Sequence, residues 1–284
     1  MSDYVLLDIV RANQVATIEL KRIERALRGG RQPVEDGRER PYGGAQRAAE
    51  VGRALNELRD DASVRVIVVT GKDDVFTIPP SSYAHHGNPG SDWDILTGVT
   101  RAVEALCTID KPVIAKVNGH AVGFGANLVL GCDFIVARED AIIADHHMSA
   151  GELLIDGERK GSAEHCMVTG DGGAVFAPLK MPLAIAKEYL MLARAFTAKE
   201  LAAMGVVNYA VPATELDAKT AELAEKLLKR NAYALALTKR VLNKQAMASF
   251  NLVHDAALGY EFLNFYMQTP QAKALGGGRG EGSL

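Results

Sequence analysis

Apolar and polar positions alternate over Val5 to Val10 and again over Val15 to Leu20, with Arg11-Ala12-Asn13-Gln14 between them, a pattern that predicts an opening β-hairpin. From Gln46 the period lengthens. Ala48, Ala49, Val51, Ala54, Leu55 and Leu58 recur at helical spacing, and Asp60-Asp61 close that helix before an apolar strand, Val64 to Val69. A second helix is predicted from about Ser91, with Ile95, Leu96, Val99, Val103 and Leu106 on one face. Val113, Ile114, Ala115 and Val117, bounded by Pro112 and Asn118-Gly119, form a short unbroken apolar run that fits a strand buried on both faces. Further on, Thr197-Ala198-Lys199-Glu200 has the spacing of a capping box, Gly205 ends that short helix, and Val206 to Val211 predicts a last strand. Asp217 to Lys229, Tyr233 to Lys244 and Phe250 to Met267 predict three C-terminal helices, the last with an aromatic stripe of Phe250, Tyr260, Phe262, Phe265 and Tyr266 suited to a core or a subunit interface.

The stretch around which these elements are arranged is Lys111 to Ala137, KPVIAKVNGHAVGFGANLVLGCDFIVA. A strand runs into the glycine turn Gly123-Phe124-Gly125 and out into a buried helix beginning near Ala126, followed by a second strand. The first amides of such a helix have no partner within it, and the positive end of its dipole lies behind them, so the turn suits a developing negative charge. Glycine turns also serve tight packing, and the glycines alone leave both readings open.

The wording P-V-I-A-x-V-N-G-x-A-x-G-x-G-x-x-L-x-x-x-C-D resembles the signature of the crotonase (enoyl-CoA hydratase/isomerase) superfamily, and Val64 to Thr70 and Phe196 to Pro212 match it in order on either side. The resemblance implies an α/β crotonase-like superhelix of repeated ββα units over residues 1–212, with loop insertions at 21–44 and 149–169. A C-terminal helical oligomerisation region over 213–270 and a disordered tail over 271–284 complete the expectation. It also implies an acyl-CoA substrate with no permanently bound cofactor, coenzyme A being part of the substrate, and assembly as a homotrimer or hexamer.

Against the family pattern, three positions change the picture. Enoyl-CoA hydratases of the superfamily use two glutamates, because one group activates water while the other protonates the α carbon. The first glutamate position is Asn127 here, and alignment of Ala141 to His147 with the family's strand and loop places His147 at the second. The family's second oxyanion donor falls on Pro80, which has no N–H, so in Thr77-Ile78-Pro79-Pro80-Ser81-Ser82 the donor has either moved to Ser81 or Ser82 or the hole is left with Phe124 alone. Ile78 lies at the pocket edge in that alignment.

A second glycine turn, Gly170-Asp171-Gly172-Gly173, opens another helix. Asp171 suits an N-cap. In relatives that lack the usual glutamates, an aspartate at this place is the base of dienoyl-CoA isomerases, the nucleophile of 4-chlorobenzoyl-CoA dehalogenase, or stands beside a histidine in 6-oxocamphor hydrolase. The resemblance therefore names Asp171 and His147 as the catalytic pair. It places Gly123, Phe124, Asn127, Gly170 and Ser81 around the substrate carbonyl, and Arg22 and Arg25 nearest the coenzyme A phosphates. His85 and His86, on a polar loop, read as solvent-exposed.

Composition narrows the remainder. At 284 residues, 48% hydrophobic and 24% charged, the chain is long enough for one large core. A net charge of -3 gives no basic patch for nucleic acid or an anionic membrane. The three cysteines, Cys107, Cys132 and Cys166, have no CxxC spacing, so a reduced cytoplasmic compartment is expected and no zinc site is suggested. Three functions follow for test: proton transfer or water activation on an acyl-CoA, hydrolysis of a C–C bond in a cyclic β-diketone, and silent binding on the same fold.

Overall fold

The computed structural model describes residues 4–22, 44–77, 89–155, 157–160 and 166–268. The chain opens with the hairpin β1 (Leu7–Ala12) and β2 (Val15–Leu20), paired antiparallel from Leu7↔Leu20 to Ala12↔Val15. Asn13 and Gln14 turn it with φ of 51° and 65°, the left-handed pair that a two-residue hairpin needs. Helix α1 (Gly44–Asp60) buries Ala48, Val51, Ala54, Leu55 and Leu58, the apolar stripe read from the sequence.

From there the chain repeats one unit. A strand enters the main sheet, a short extended piece enters a second sheet, and a helix returns. Strand β3 (Val66–Gly71) leads to Thr77, which bridges Ala121, and then to α2 (Pro89–Thr108). Strand β4 (Val113–Val117) leads to β5 (Ala121–Val122) and α3 (Phe124–Gly131). Strand β6 (Phe134–Arg138) leads to β7 (Ile142–Ala144) and, past the hairpin β8 (Leu153–Ile155) and β9 (Glu158–Lys160), to α4 (Gly173–Lys180). Strands β2, β3, β4 and β6 lie parallel, and β5 pairs β7 in parallel, so successive units stack as turns of a superhelix. All six residues of β3 are buried, which accounts for its unbroken apolar run.

Helix α5 (Leu183–Met191), β10 (Phe196–Thr197), α6 (Ala198–Ala203) and β11 (Tyr209–Val211) close the core, with β10 antiparallel to β7 and β11 parallel to β6. The capping box is present on both sides: Thr197 Oγ1 accepts from the Glu200 amide, and the Glu200 carboxylate accepts from the Thr197 amide at 2.7 Å. The last strand is shorter than the apolar run Val206 to Val211 suggests, since Val206 and Val207 are spent on the core beside Leu201. After α7 (Leu216–Leu228), one helix, α8 (Ala232–Gln268), replaces the two expected over 233–244 and 250–267. The segment Gln245 to Ser249 contains no glycine or proline to stop it, and Ala246 and Met247 pack on the core. No helix among the described residues is long and apolar enough to cross a membrane.

Candidate active site

Each turn of the superhelix passes from a second-sheet strand into a helix, and the polar groups of the site sit at these crossings. After β5, Gly123 takes φ 63° as the residue before α3, and a Cβ there would lie 2.5 Å from the His146 ring, so only glycine fits the close approach. The first internal bond of α3 is Asn127 N–H to Gly123 O at 3.1 Å, which leaves the Phe124 amide ahead of the ladder. Across from it, Thr77 is the last described residue of its strand, its amide given to His120 O at 3.0 Å. Ile78, Pro80, Ser81 and Ser82, expected at the other side of the oxyanion hole, lie outside the described residues, as do Arg25, His85 and His86.

After β7 the chain delivers Asp145, His146 and His147, all buried. Asp145 is fully enclosed and accepts the His147 amide at 2.9 Å, His147 Nδ1 at 2.7 Å and the Thr169 hydroxyl at 3.2 Å on Oδ1, with Asn127 Nδ2 at 3.1 Å on Oδ2. A histidine anchored through Nδ1 directs Nε2 outward, and here Nε2 lies 3.7 Å from Asp171 Oδ2 and 3.9 Å from Glu261 Oε1. Asp171 does not cap α4. Its Oδ1 accepts from Asn127 Nδ2 at 2.5 Å, and the residue before the helix is Gly172, with φ 106° and no side-chain cap. Asn127 thus ties two carboxylates together through one amide nitrogen.

Glu261, from α8, was not singled out by the sequence. Its carboxyl accepts the Gly170 amide, Oε2 has no partner, and a Cβ on residue 170 would lie 2.2 Å from that oxygen, so glycine at 170 is what lets the helix close on this turn. Asp145, beside the histidines in sequence, carries no pattern of its own that marks it as buried. One signal was available for Glu261: with His254, Ala257 and Leu258 it completes the buried i, i+3, i+4, i+7 stripe of α8, an acidic residue where an apolar one is expected.

The electrostatics follow from burying four ionisable groups together. Burial raises the Asp171 carboxyl to about 6, with the Asp145 charge adding and His147 opposing. Burial likewise raises Glu261 to about 8, with Asp171 and Asp145 adding and His147 opposing. For His147, burial works against the charged ring, but Asp145, Asp171, the Asp145 hydrogen bond and Glu261 outweigh it and hold its pKa well above the ordinary value. Asp145 is also penalised by burial, and the His147 charge and its hydrogen bonds bring its pKa below the usual carboxylate value. Near neutral pH, Asp171 is then an anion, Glu261 a neutral acid and His147 a cation. Two carboxyl groups whose environments push them to either side of neutrality can divide the work of base and acid. Asp171, at 12% side-chain exposure, is the most accessible of the four.

Arg22, expected near the coenzyme phosphates, is held in an ion pair with Asp74. Asp145, His146 and His147 present ligating atoms within 4.8 Å of one another, the one such group among the described residues, and within it His147 Nδ1 is bonded to Asp145 Oδ1.

Residues 44–273 match the family model described as enoyl-CoA hydratase/isomerase. The chain is 32% identical over 198 residues to a carnitinyl-CoA dehydratase of Salmonella enteritidis, covering 69% of this chain and 70% of that one. It is 29% identical over 221 residues to that of Proteus mirabilis, covering 76% and 79%. Among solved structures, an enoyl-CoA hydratase/isomerase from Mycobacterium paratuberculosis superposes with a TM-score of 0.76 at 24% identity, covering 96% of this chain and 97% of the other. A β-diketone hydrolase from Anabaena superposes with 0.74 at 22% identity, covering 92% and 94%. The stacked ββα turns, the helix N-terminus at Phe124 and these matches together make the chain a member of the enoyl-CoA hydratase/isomerase (crotonase) family.

Proposed function

We propose that the chain acts on a coenzyme A thioester, moving a proton at the α carbon through an enolate and hydrating, dehydrating or isomerising the acyl chain. The observation that carries this is the placement of Asp171 and Glu261 beside His147 Nε2, at 3.7 Å and 3.9 Å, with the three ionised to different extents near neutral pH. The thioester oxygen would accept from the Phe124 amide at the start of α3, where charge develops as the α proton leaves. Asp171, largely ionised above pH 6, would take that proton; Glu261, protonated below pH 8, would supply one to the departing β-hydroxyl or to the far end of a shifting double bond. In the reverse direction the same two groups exchange roles and water adds. His147, fixed through Nδ1 by Asp145, would keep a positive charge between the carboxylates so that neither repels the enolate. Asn127 would orient Asp171, which explains why an amide can stand where relatives carry a glutamate.

Hydrolysis of a C–C bond in a cyclic β-diketone is the second proposal, favoured by the ionised Asp171 beside the carboxylate-held His147 cation, a carboxylate suited to taking a proton from an attacking water, and by an enolate leaving group that the Phe124 turn would equally stabilise. The protein is expected to work in the cytoplasm, without a resident cofactor, as a trimer or dimer of trimers. The α8 surface, with Leu237, Val241, Leu242 and Leu252 all exposed, is apolar enough for such an assembly.

Titration calorimetry with free coenzyme A, crotonyl-CoA and cyclohexane-1,3-dione separates the proposals. Micromolar binding of crotonyl-CoA, competed by coenzyme A, is the expected result. Turnover of the diketone with no thioester binding would transfer the assignment to the second proposal, and no response to any of the three would remove both.

A further inference from the structure

Helix α1 buries two charged side chains, Arg47 and Glu50, along a stripe that is otherwise apolar. Glu50 fastens the start of the chain: its carboxylate accepts the Val5 and Leu6 amides and the Gln46 side-chain amide. Arg47 ends differently. Its guanidinium, 4% exposed, donates from Nη1 to Thr77 Oγ1 at 2.9 Å and from Nη2 to Lys21 O, while Nε has no partner. A buried cation held by neutral oxygens alone is costly where an apolar side chain would fill the same position. Its target, Thr77, lies against the glycine turn of the candidate site. The Thr77 amide donates to His120 O at 3.0 Å and its carbonyl accepts the Val122 amide at 2.8 Å, on either side of the bridge to Ala121. Its methyl packs so closely on α3 that a Cβ on Gly125 would overlap Thr77 Cγ2. Thr77 therefore touches the chain both before and after Phe124, and its side chain has one end on Gly125 and the other on Arg47.

We propose that Arg47 is a positioning residue for the oxyanion turn: by holding the Thr77 hydroxyl it keeps the Thr77 methyl on Gly125 and so fixes the direction of the Phe124 amide. The arginine selects the rotamer. With Oγ1 released, the side chain can turn about χ1, and the methyl then leaves Gly125. Burial draws the guanidinium down to about 10, with Glu50 opposing, so it remains a charged donor across the working range.

This inference rests on the Phe124 amide being the oxyanion donor of the proposed function, and its test reads the turn with and without a thioester. Thr77→Ser keeps the oxygen that Arg47 holds and removes only the methyl. Arg47→Met removes the guanidinium, and Arg47→Lys leaves one donor group. In NMR-detected hydrogen exchange on the full chain, the Val122, Gly123 and Asn127 amides should exchange about tenfold faster in Arg47→Met and in Thr77→Ser, and no faster in the double variant, with α7 and α8 unaffected. Bound acetoacetyl-CoA, whose enolate absorbs in the near ultraviolet, reads the hole itself. Its ionisation midpoint should rise by about half a unit to one unit in either single variant, with affinity for free coenzyme A unmoved, and Arg47→Lys should recover part of that shift. Faster exchange spread over the whole fold in Arg47→Met, with Thr77→Ser unchanged, is the signature of a plain core anchor and overturns the proposal. Additive effects in the double variant overturn it as well. Should Arg47→Met not fold, unchanged exchange in Thr77→Ser is sufficient to reject it. An unaltered protein that binds no acetoacetyl-CoA would count against the proposed function, while the exchange rates still decide the role of Arg47.

Discussion

Helix α8 carries Lys239 and Glu261 into the core, and the two end differently. Lys239 Nζ donates to Asp133 Oδ2 at 2.6 Å and to Lys111 O at 2.8 Å, and the same Asp133 oxygen accepts the Val113 amide at 2.7 Å. Glu261, about six turns later in the same helix, meets His147 only at 3.9 Å and leaves Oε2 without a partner. The first junction is closed: its charges and polar atoms find one another and fasten the helix to β4 and the start of β6. The second is open, with ionisable groups held close but not directly bonded, and its carboxyl group displaced to about 8. A satisfied polar junction serves the fold, whereas buried groups left short of direct bonds keep protonation states free to change.

The sharpest way to break this contrast is at Asp171. Asp171→Asn keeps an oxygen to accept from Asn127 and should leave stability nearly unchanged, while turnover on crotonyl-CoA falls about a thousandfold or more, about 4 kcal/mol on the barrier. Stopped assays alongside urea denaturation check both halves, and retained activity would take Asp171 out of the chemistry. At the closed junction the effects should be inverted. Lys239→Met strands the Asp133 charge and should cost about 3 kcal/mol in urea denaturation, with kcat per folded molecule unaltered.

Glu261→Gln should have the mildest effect of the three, about a hundredfold in kcat, since water can replace a general acid in part. It also carries a pH signature. Glu261 has a folded-state pKa raised from 4.5 to about 8, so the stability it contributes is complete below pH 4.5 and is lost as pH rises through 8. The neutral amide does not titrate, and the variant should therefore gain on the unaltered protein from pH 4.5 upward, by more than about 1 kcal/mol at pH 8. Parallel stability curves across that range would show that Glu261 is not a buried acid.

What the sequence disclosed and withheld divides along the same line. The glycine turn at Gly123, the capping box at Thr197 and the stripe of α1 are local, set by residues a few positions apart, and the structure has them where the pattern places them. Asp171 and His147 were reached through the resemblance, and their approach depends on Asn127 and Asp145. Asp145 was not legible, because a carboxylate at the end of a three-residue strand differs from a surface turn only through what encloses it. Glu261 reaches His147 across the core, from a helix whose periodicity alone suggests packing. The continuity of α8 was hidden for another reason: the polar and small residues Asn243 to Ser249 imitate a break, yet Asn243 bonds Leu106 O and Cys107 O and Ser249 bonds Val175 O, so they are helix contacts with α2 and α4.

That continuity constrains how this chain can vary in length. Lys239 and Glu261 are separated by 22 residues of one uninterrupted helix, about 33 Å along its axis, and 22 steps of about 100° bring the second side chain back to within about 40° of the first. Both side chains can enter the core only because their phases agree. Deleting a single residue between them would swing Glu261 by about 100° toward solvent while Lys239 stayed moored. Length changes of about seven or eleven residues would nearly restore the angle but shift the carboxyl by about 10 to 16 Å along the axis, away from Gly170. Between these two positions substitutions are admissible and insertions are not, so the helix acts as a ruler whose graduations are set at one end by a lysine and read at the other by an acid.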